Sequence, residues 1–495
     1  MKRYLLLLLT IMFTLGTNAQ ERMLPLESEV ITKHSTTING SSLRYTAKTG
    51  TLPLWNKDGD ALATLFYTYY TRDGISDRST RPLVISFNGG PGSASVWMHV
   101  AYTGPKVLNI DEEGNPVQPY GVHENPHSIL DVADIVFVNP VNTGYSRLEK
   151  IDGEYPKREM FFGINADIKY LAEWINTFVA RNNRWLSPKY LIGESYGGTR
   201  VSGLAHELQN KQWMFLNGVI LVSPADYKSY SADNAISSAL NLPYMAATAW
   251  HHGLLPQELQ SKDLLEVLPE VEEFTINDLL PGLAKGGFIS EEERKAIAKK
   301  MAYYSTLEEE DILRHNLDVP TSFYWKDVMR DERGMTVGRL DSRYLGLDKM
   351  EAGNRPEYNM ELKSWLHSFT PAINYYLREE LNFKTDTPYA MFGDVHPWDR
   401  SENTTRDDLR QAMAENPYLN VMFQSGYYDG ATTYFNAKYT MWQLDPSGKM
   451  KDRFSFKGYR SGHMMYLRKE DLETANNDLR DFIQRTSTNV GSAKY

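Results

Sequence analysis

Ser195 stands at the centre of Gly193-Glu194-Ser195-Tyr196-Gly197, a G-x-S-x-G pentapeptide with an apolar run before it and a helical period after it. A serine hydroxyl is a poor nucleophile at neutral pH, so chemistry there needs a base and an acid that orients the base. Where a hydrolase carries its serine on such a strand-to-helix turn, the acid and then the histidine follow in the chain, each after a late strand. Asp429 in SGYYDG (425–430) and His463 in GYRSGHM (458–464) stand in that order. Each stretch also has a plainer use: a tight packing turn, an Asp-Gly surface turn, a loop histidine held by its neighbours. Asp394, His396 and Asp399 are the other candidates for acid and base.

Acyl transfer at Ser195 would place negative charge on an oxygen, which backbone N–H groups must meet at a fixed position. Asn88-Gly89-Gly90-Pro91-Gly92 ends an early apolar run; its glycines permit close approach and Pro91 stiffens the loop. With the N–H of Tyr196, the residue after the serine, this loop is the candidate oxyanion hole. A simple glycine turn is the alternative.

Those loops need elements to hold them. Apolar, strand-like runs occur at 62–70 (LATLFYTYY), 82–87 (PLVISF), 134–139 (DIVFVN), 190–192 and 218–223 (GVILVS), then again at 420–424 and 453–457. Between them Ile164, Ile168, Leu171, Ala172, Ile175, Phe178 and Val179 keep a helical period, as do Val201, Leu204, Ala205 and Leu208 after the serine. Alternation of this kind predicts an α/β sheet, mostly parallel and covered by helices on both faces. From 226 to 399 the pattern turns mainly helical and charge-rich, which reads as an insertion into one sheet domain comprising 20–225 and 400–495. Leu472, Ala475, Leu479, Phe482 and Ile483 mark a last amphipathic helix.

The chain has 495 residues, 41% hydrophobic and 23% charged, enough for a large core. Its formal charge of −10 argues against nucleic acid as a partner. Lys2 and Arg3, an apolar stretch and Thr17-Asn18-Ala19 make 1–19 a secretory leader. No later run has the length of a membrane span. With no cysteine, disulfides and thiolate metal sites are excluded, and an exported, periplasmic or extracellular protein of bacterial type is expected. No metal or nucleotide motif is present, so no cofactor is expected. The sequence does not address oligomeric state.

FNGGPGSAS (87–95), VNPVNTGYS (138–146) and IGESYGG (192–198), with the late SGYYDG and SGHMM stretches, resemble the serine carboxypeptidases, the S10 peptidases of the α/β-hydrolase fold. The resemblance runs from about 40 to 485. It implies Ser195 as nucleophile, His463 as general base and acid, Asp429 as its orienter, and the N–H groups of Gly90 and Tyr196 as the oxyanion hole. It further implies that Asn88 and Glu194 hold the C-terminal carboxylate of a peptide substrate. A glutamate can do so only when protonated, which burial and a neighbouring carboxylate favour.

The chain departs from the family pattern at particular residues. Tyr102 occupies the place of a second glutamate, Asn139 and Asn142 replace a glutamine and a glycine, and Ser93 follows the last glycine of the loop. Losing the second carboxylate bears on the acidic optimum and on preference for a free C-terminus. Three readings follow: a C-terminal exopeptidase, an esterase or acyltransferase with the same triad, and a non-catalytic binding protein. The insertion is expected to cap the site, with Tyr244, Trp250, Tyr324 and Trp325 either lining a pocket or serving as core. The adjacent His251 and His252 read as structural.

Overall fold

The computed structural model describes residues 24–225 and 235–488. The leader expected over 1–19 lies outside the described residues. Ten strands form one sheet. Its principal strands in chain order are β1 (Ser28–Ile38), β2 (Ser41–Trp55), β3 (Ala61–Arg72), β4 (Leu83–Phe87), β5 (Asp134–Val138), β6 (Lys189–Glu194), β7 (Gly218–Val222), β8 (Asn420–Gly426) and β9 (Phe454–Tyr459). Spatially they run β1-β2-β3-β5-β4-β6-β7-β8-β9, and the two-residue strand Arg147–Leu148 pairs with β3. The first three pair antiparallel, β3 meets β5 antiparallel, and every later pairing is parallel. The sheet is thus mixed but mostly parallel, an α/β-hydrolase arrangement.

Every residue of β4, β5, β6 and β7 is buried, because helices cover both faces. Alternate side chains divide between two clusters. Ile85, Val136, Leu191, Leu221 and Phe423 meet α1 (Ile164–Arg181) and α2 (Tyr196–Lys211) through Ile168, Leu171, Val201 and Leu204. Val84, Ile135, Ile192, Ile220 and Met422 face the other way, into a second cluster. The β1–β2 hairpin went unread in the sequence pattern. Its turn, Asn39-Gly40, holds both residues at positive φ (47° and 76°), the chemistry a two-residue hairpin demands.

The helical stretch after 234 packs in two ways. Helices α3 (Leu242–His251), α4 (Leu264–Phe274) and α5 (Glu291–Ser305) build a core of their own with Met245, Val271, Met301, Tyr304 and Tyr324. Helix α6 (Met360–Tyr375) instead contributes Trp365, Phe369, Ala372 and Ile373 to the second sheet cluster, with the Phe369 ring 4.3 Å from that of Trp97. Bridges Ser93–Phe392, Gly144–Ala390 and Gly163–Asp399 then bind the segment after α6 to loops at the site end of the sheet. Helix α7 (Lys469–Ser487) completes that face with Leu472, Ala475, Leu479, Phe482 and Ile483. Among the described residues no helix is long and apolar enough to cross a membrane.

Trp365 is 1% exposed within the sheet's own cluster, whereas Phe288 is 99% exposed. Trp365→Ala is expected to lower unfolding free energy by about 3–5 kcal/mol in urea titration. Phe288→Ala should change it by no more than about 0.5 kcal/mol. Equal effects would contradict the placement of α6.

Candidate active site

Strand β6 ends at Glu194 and α2 begins at Tyr196, so Ser195 alone makes the turn. Its backbone sits at φ 58°, ψ −127°, a conformation an L-residue holds only under constraint. Ser195 N–H donates to Val222 O (2.9 Å), while Ser195 O accepts from Gly198 N (2.8 Å) and Ala225 N (3.0 Å). Glycine at 193 is forced by close approach: a Cβ there would lie 2.1 Å from Gly197 O. The clash is with the returning helix backbone.

The acid and the imidazole arrive from neighbouring parallel strands. Asp429 follows β8 and His463 follows β9; both are buried. Asp429 Oδ1 accepts from the N–H groups of Ala431 (2.8 Å) and Thr432 (3.0 Å). Its Oδ2 accepts from Thr432 Oγ1 (2.5 Å) and from His463 Nδ1 (2.6 Å). A carboxylate can only accept, so Nδ1 carries a hydrogen and Nε2 is left as the basic nitrogen. Burial alone would lower the His463 pKa, but the Asp429 charge and hydrogen bond outweigh it and hold the pKa above the usual value. Ser195 Oγ makes no hydrogen bond among the described residues, and neither does His463 Nε2. Both loops are nonetheless tied to the elbow through the end of β7: Ser223 Oγ donates to His463 O (2.8 Å), and Ser223 O lies 3.0 Å from Thr432 Oγ1, sharing its hydrogen with Asp429 Oδ2.

The loop after β4 completes the arrangement. A Cβ on Gly89 would fall 2.5 Å from Tyr196 N, so only glycine lets this loop lie on the elbow. The N–H groups of Gly90 and Tyr196 donate to no acceptor among the described residues, and Tyr196, opening a helix, has none within it. Asn88 Oδ1 accepts from Met98 N (3.1 Å), which fixes the amide's orientation. Its Nδ2 is buried without a formed hydrogen bond, beside the Glu194 carboxyl and the Tyr466 hydroxyl. Glu194 is 3% exposed. Burial raises its pKa to about 7, opposed by the His463 charge and by the Tyr466 hydroxyl that donates to Oε2. All seven residues singled out in the sequence therefore lie around one end of β4, β6, β8 and β9.

Other residues hold this constellation and carried no signal of their own. Arg200 Nη1 donates to Asn88 O (2.6 Å) and its Nε to Asp167 Oδ2 (2.7 Å), which also accepts from Tyr196 OH (3.1 Å). This buried pair clamps the loop after β4 to the elbow helix. The segment 339–343 braces both late loops, with Gly430 N donating to Arg339 O (3.0 Å) and His463 N to Leu340 O (2.7 Å). Ser93 Oγ accepts from the Trp97 indole (2.7 Å), and Asn139 Oδ1 from Ser95 N (2.8 Å), so these departures serve packing. Asn142 Nδ2 donates to Asp394 O (3.0 Å).

Asp394 pairs with Arg158 on the exterior, and Asp399 is an exposed cap for Ser401 N. Neither reaches Ser195 or His463. Tyr244 and Tyr324 are fully buried in the helical cluster rather than lining a pocket. Trp250 and His251 border a cleft of about 670 Å³ with Arg343, Tyr428 and Arg460, while His252 bonds Ser342 O (2.7 Å).

The family model described as serine carboxypeptidase matches residues 42–456. Serine carboxypeptidase-like 36 of Arabidopsis thaliana is 27% identical over 198 residues, 39% of this chain and 36% of that protein. The vitellogenic carboxypeptidase of Aedes aegypti is 29% identical over 150 residues, 30% of this chain and 29% of that protein. The matched stretches thus span about a third of these relatives. The crystal structure of Kex1(Δ)p, a prohormone-processing carboxypeptidase from Saccharomyces cerevisiae, superposes with a TM-score of 0.53. It covers 90% of this chain and 92% of its own at 14% identity, a likeness of fold.

Arg200→Met leaves Asp167 buried without its cation. We expect a loss of about 3–5 kcal/mol in chemical denaturation, larger than that of the double variant with Asp167→Leu. A single variant as stable as the parent would contradict the clamp.

Proposed function

The chain belongs to the serine carboxypeptidase family, and from that premise we propose that it removes C-terminal residues from peptides through an acyl-enzyme on Ser195. Ser195 Oγ attacks the scissile carbonyl as His463 Nε2 takes its proton; the contact between them forms when substrate fills the space. Asp429 holds the ring in the required tautomer and stabilises the imidazolium. The N–H groups of Gly90 and Tyr196 receive the oxyanion. His463 then returns the proton to the leaving amine, the C-terminal residue departs, and water hydrolyses the ester by the same steps.

One observation carries the peptidase reading over an esterase reading: the pairing of Asn88 and Glu194 beside the elbow. The buried Asn88 Nδ2 makes no hydrogen bond of full geometry, and beside it lies the Glu194 carboxyl, whose pKa burial raises to about 7. Protonated, Glu194 donates to a substrate carboxylate; ionised, it repels one. The sign follows from its raised pKa: recognition of a free C-terminus is present at lower pH and is lost as pH rises through about 7. The acid limb belongs to His463, which must be neutral to accept a proton, so turnover falls again at low pH. Residues 1–19 are proposed as a leader for export to a periplasmic or extracellular location, with Gln20 as the mature N-terminus; Edman sequencing of secreted protein tests it.

In assays on blocked dipeptides, Ser195→Ala is expected to lower kcat by about 10⁶ and Asp429→Asn by about 10⁴. A folded Ser195→Ala protein that still releases C-terminal residues at the parental rate removes the proposal. Peptide acids should exceed the matching C-terminal amides in kcat/KM at pH 5.5, with the advantage vanishing above about pH 7. Equal turnover of acid and amide throughout would instead favour the esterase or acyltransferase.

A further inference from the structure

Tyr466 has no part in the acyl-transfer steps, yet it touches the group proposed to recognise the substrate. It lies on the turn Met465–Leu467, three residues after His463, and is 1% exposed. Its hydroxyl donates to Glu194 Oε2. Its ring stacks on Tyr102 with centroids 4.7 Å apart and planes 10° from parallel. Tyr102, standing where the family pattern has a second glutamate, stacks on Tyr466 and turns its own hydroxyl away from Glu194. Its hydroxyl donates to Gln424 Oε1 (2.7 Å), Gln424 Nε2 donates to Tyr459 OH (2.8 Å), and Tyr459 OH donates to Asp478 Oδ2 (2.9 Å). The rings are therefore locked to β8, β9 and α7, and Tyr466 presents its hydroxyl from a fixed position.

Four elements around Glu194 contribute the groups that face it. His463 and Tyr466 come from the loop after β9, Asp429 from the loop after β8, Asn88 from the loop after β4, and Tyr102 from the end of the short helix Val96–Ala101. Among the described residues facing Glu194, Asp429 is the second carboxylate, and its oxygens already accept from Ala431, Thr432 and His463. Among the described residues, none of these carboxylates is free to share a proton with Glu194.

We infer that Tyr466 is a positioning residue for carboxylate recognition: by donating to Oε2 of Glu194 it leaves Oε1 to carry the exchangeable proton, as a donor to the substrate's C-terminal carboxylate alongside Asn88 Nδ2. The inference rests on the carboxypeptidase reading above and names how that site works without the second acid. A carboxyl group with one oxygen committed as acceptor has its O–H on the other, so Tyr466 supplies direction. A donor to a carboxylate also favours its ionised form, so Tyr466 opposes the effect of burial on Glu194.

Tyr466→Phe removes the hydroxyl and keeps the ring on Tyr102. With rates taken per site that reacts with a fluorophosphonate, so that unfolded protein does not count, the ratio of acid to amide kcat/KM should fall about tenfold at pH 5.5, chiefly in KM for the acid. The alkaline limb of the acid profile should move to higher pH, because the ionised carboxylate has lost a donor. In a Glu194→Gln background the limb is gone and Tyr466→Phe should add little. An unchanged ratio and limb, or an equal Tyr466→Phe effect with and without Glu194, overturns the inference. If the unsubstituted protein itself fails to prefer acids over amides, the carboxypeptidase reading falls instead, which the same assay reports separately.

Discussion

A hydrogen bond of 2.6 Å between Asp429 Oδ2 and His463 Nδ1 joins two loops at adjacent strand ends, and the chemistry of the site depends on it. The bond buries a carboxylate completely, which is tolerable only because Ala431, Thr432 and the imidazole fill its lone pairs. It also decides which imidazole nitrogen is basic. Without it the ring would have no fixed tautomer, and burial would push it toward a neutral base of lower pKa. Parallel pairing of β8 with β9 delivers both residues to the same edge.

The elbow is the opposite case, a strained backbone rather than a satisfied charge. Ser195 at positive φ costs on the order of 1–3 kcal/mol. The turn persists because its backbone groups are engaged by Val222, Gly198 and Ala225 and because α2 is packed along its length. The end of β7 is the common joint: Val222 holds the serine, Ser223 holds both late loops. Arg200 and Asp167 then fasten the loop after β4 to the same helix. Ser195, His463, Asp429 and the candidate oxyanion donors are thus held by one connected set of hydrogen bonds, and the cleft-forming helices lie outside it.

The chemistry-bearing stretches and the parallel strands were legible because each is local. An apolar run of five residues, a glycine pair at its end and a helical period after it are short-range signals, and β4, β5, β6 and β7 fall on them. The Asn39-Gly40 hairpin was equally local but sat among polar residues; half of β1 faces solvent, so it lacks the apolar run that flags a buried strand. Other features were out of reach for a different reason. Arg200, Asp167, Ser223, Thr432 and the segment 339–343 matter through partners far away in sequence, and their residue types are ordinary. Helix α6 has the composition of its neighbours; only the sheet face it meets separates it from α3, α4 and α5. Tyr102 was visible as a departure, but its stacking partner Tyr466 was not.

These substitutions give the site its particular character. A tyrosine stack stands where a second acid is expected, and Glu194 keeps a raised pKa through burial more than through a like charge. The central claim remains that an imidazole held by Asp429 activates the hydroxyl of Ser195. Its most direct measurement is the rate and position of fluorophosphonate labelling on the folded chain, followed by peptide mapping across pH. A single adduct on Ser195 is expected, forming more slowly as pH falls through the His463 titration and slowed strongly by Asp429→Asn. Labelling elsewhere, or a rate on Ser195 indifferent to pH and to Asp429, would contradict it.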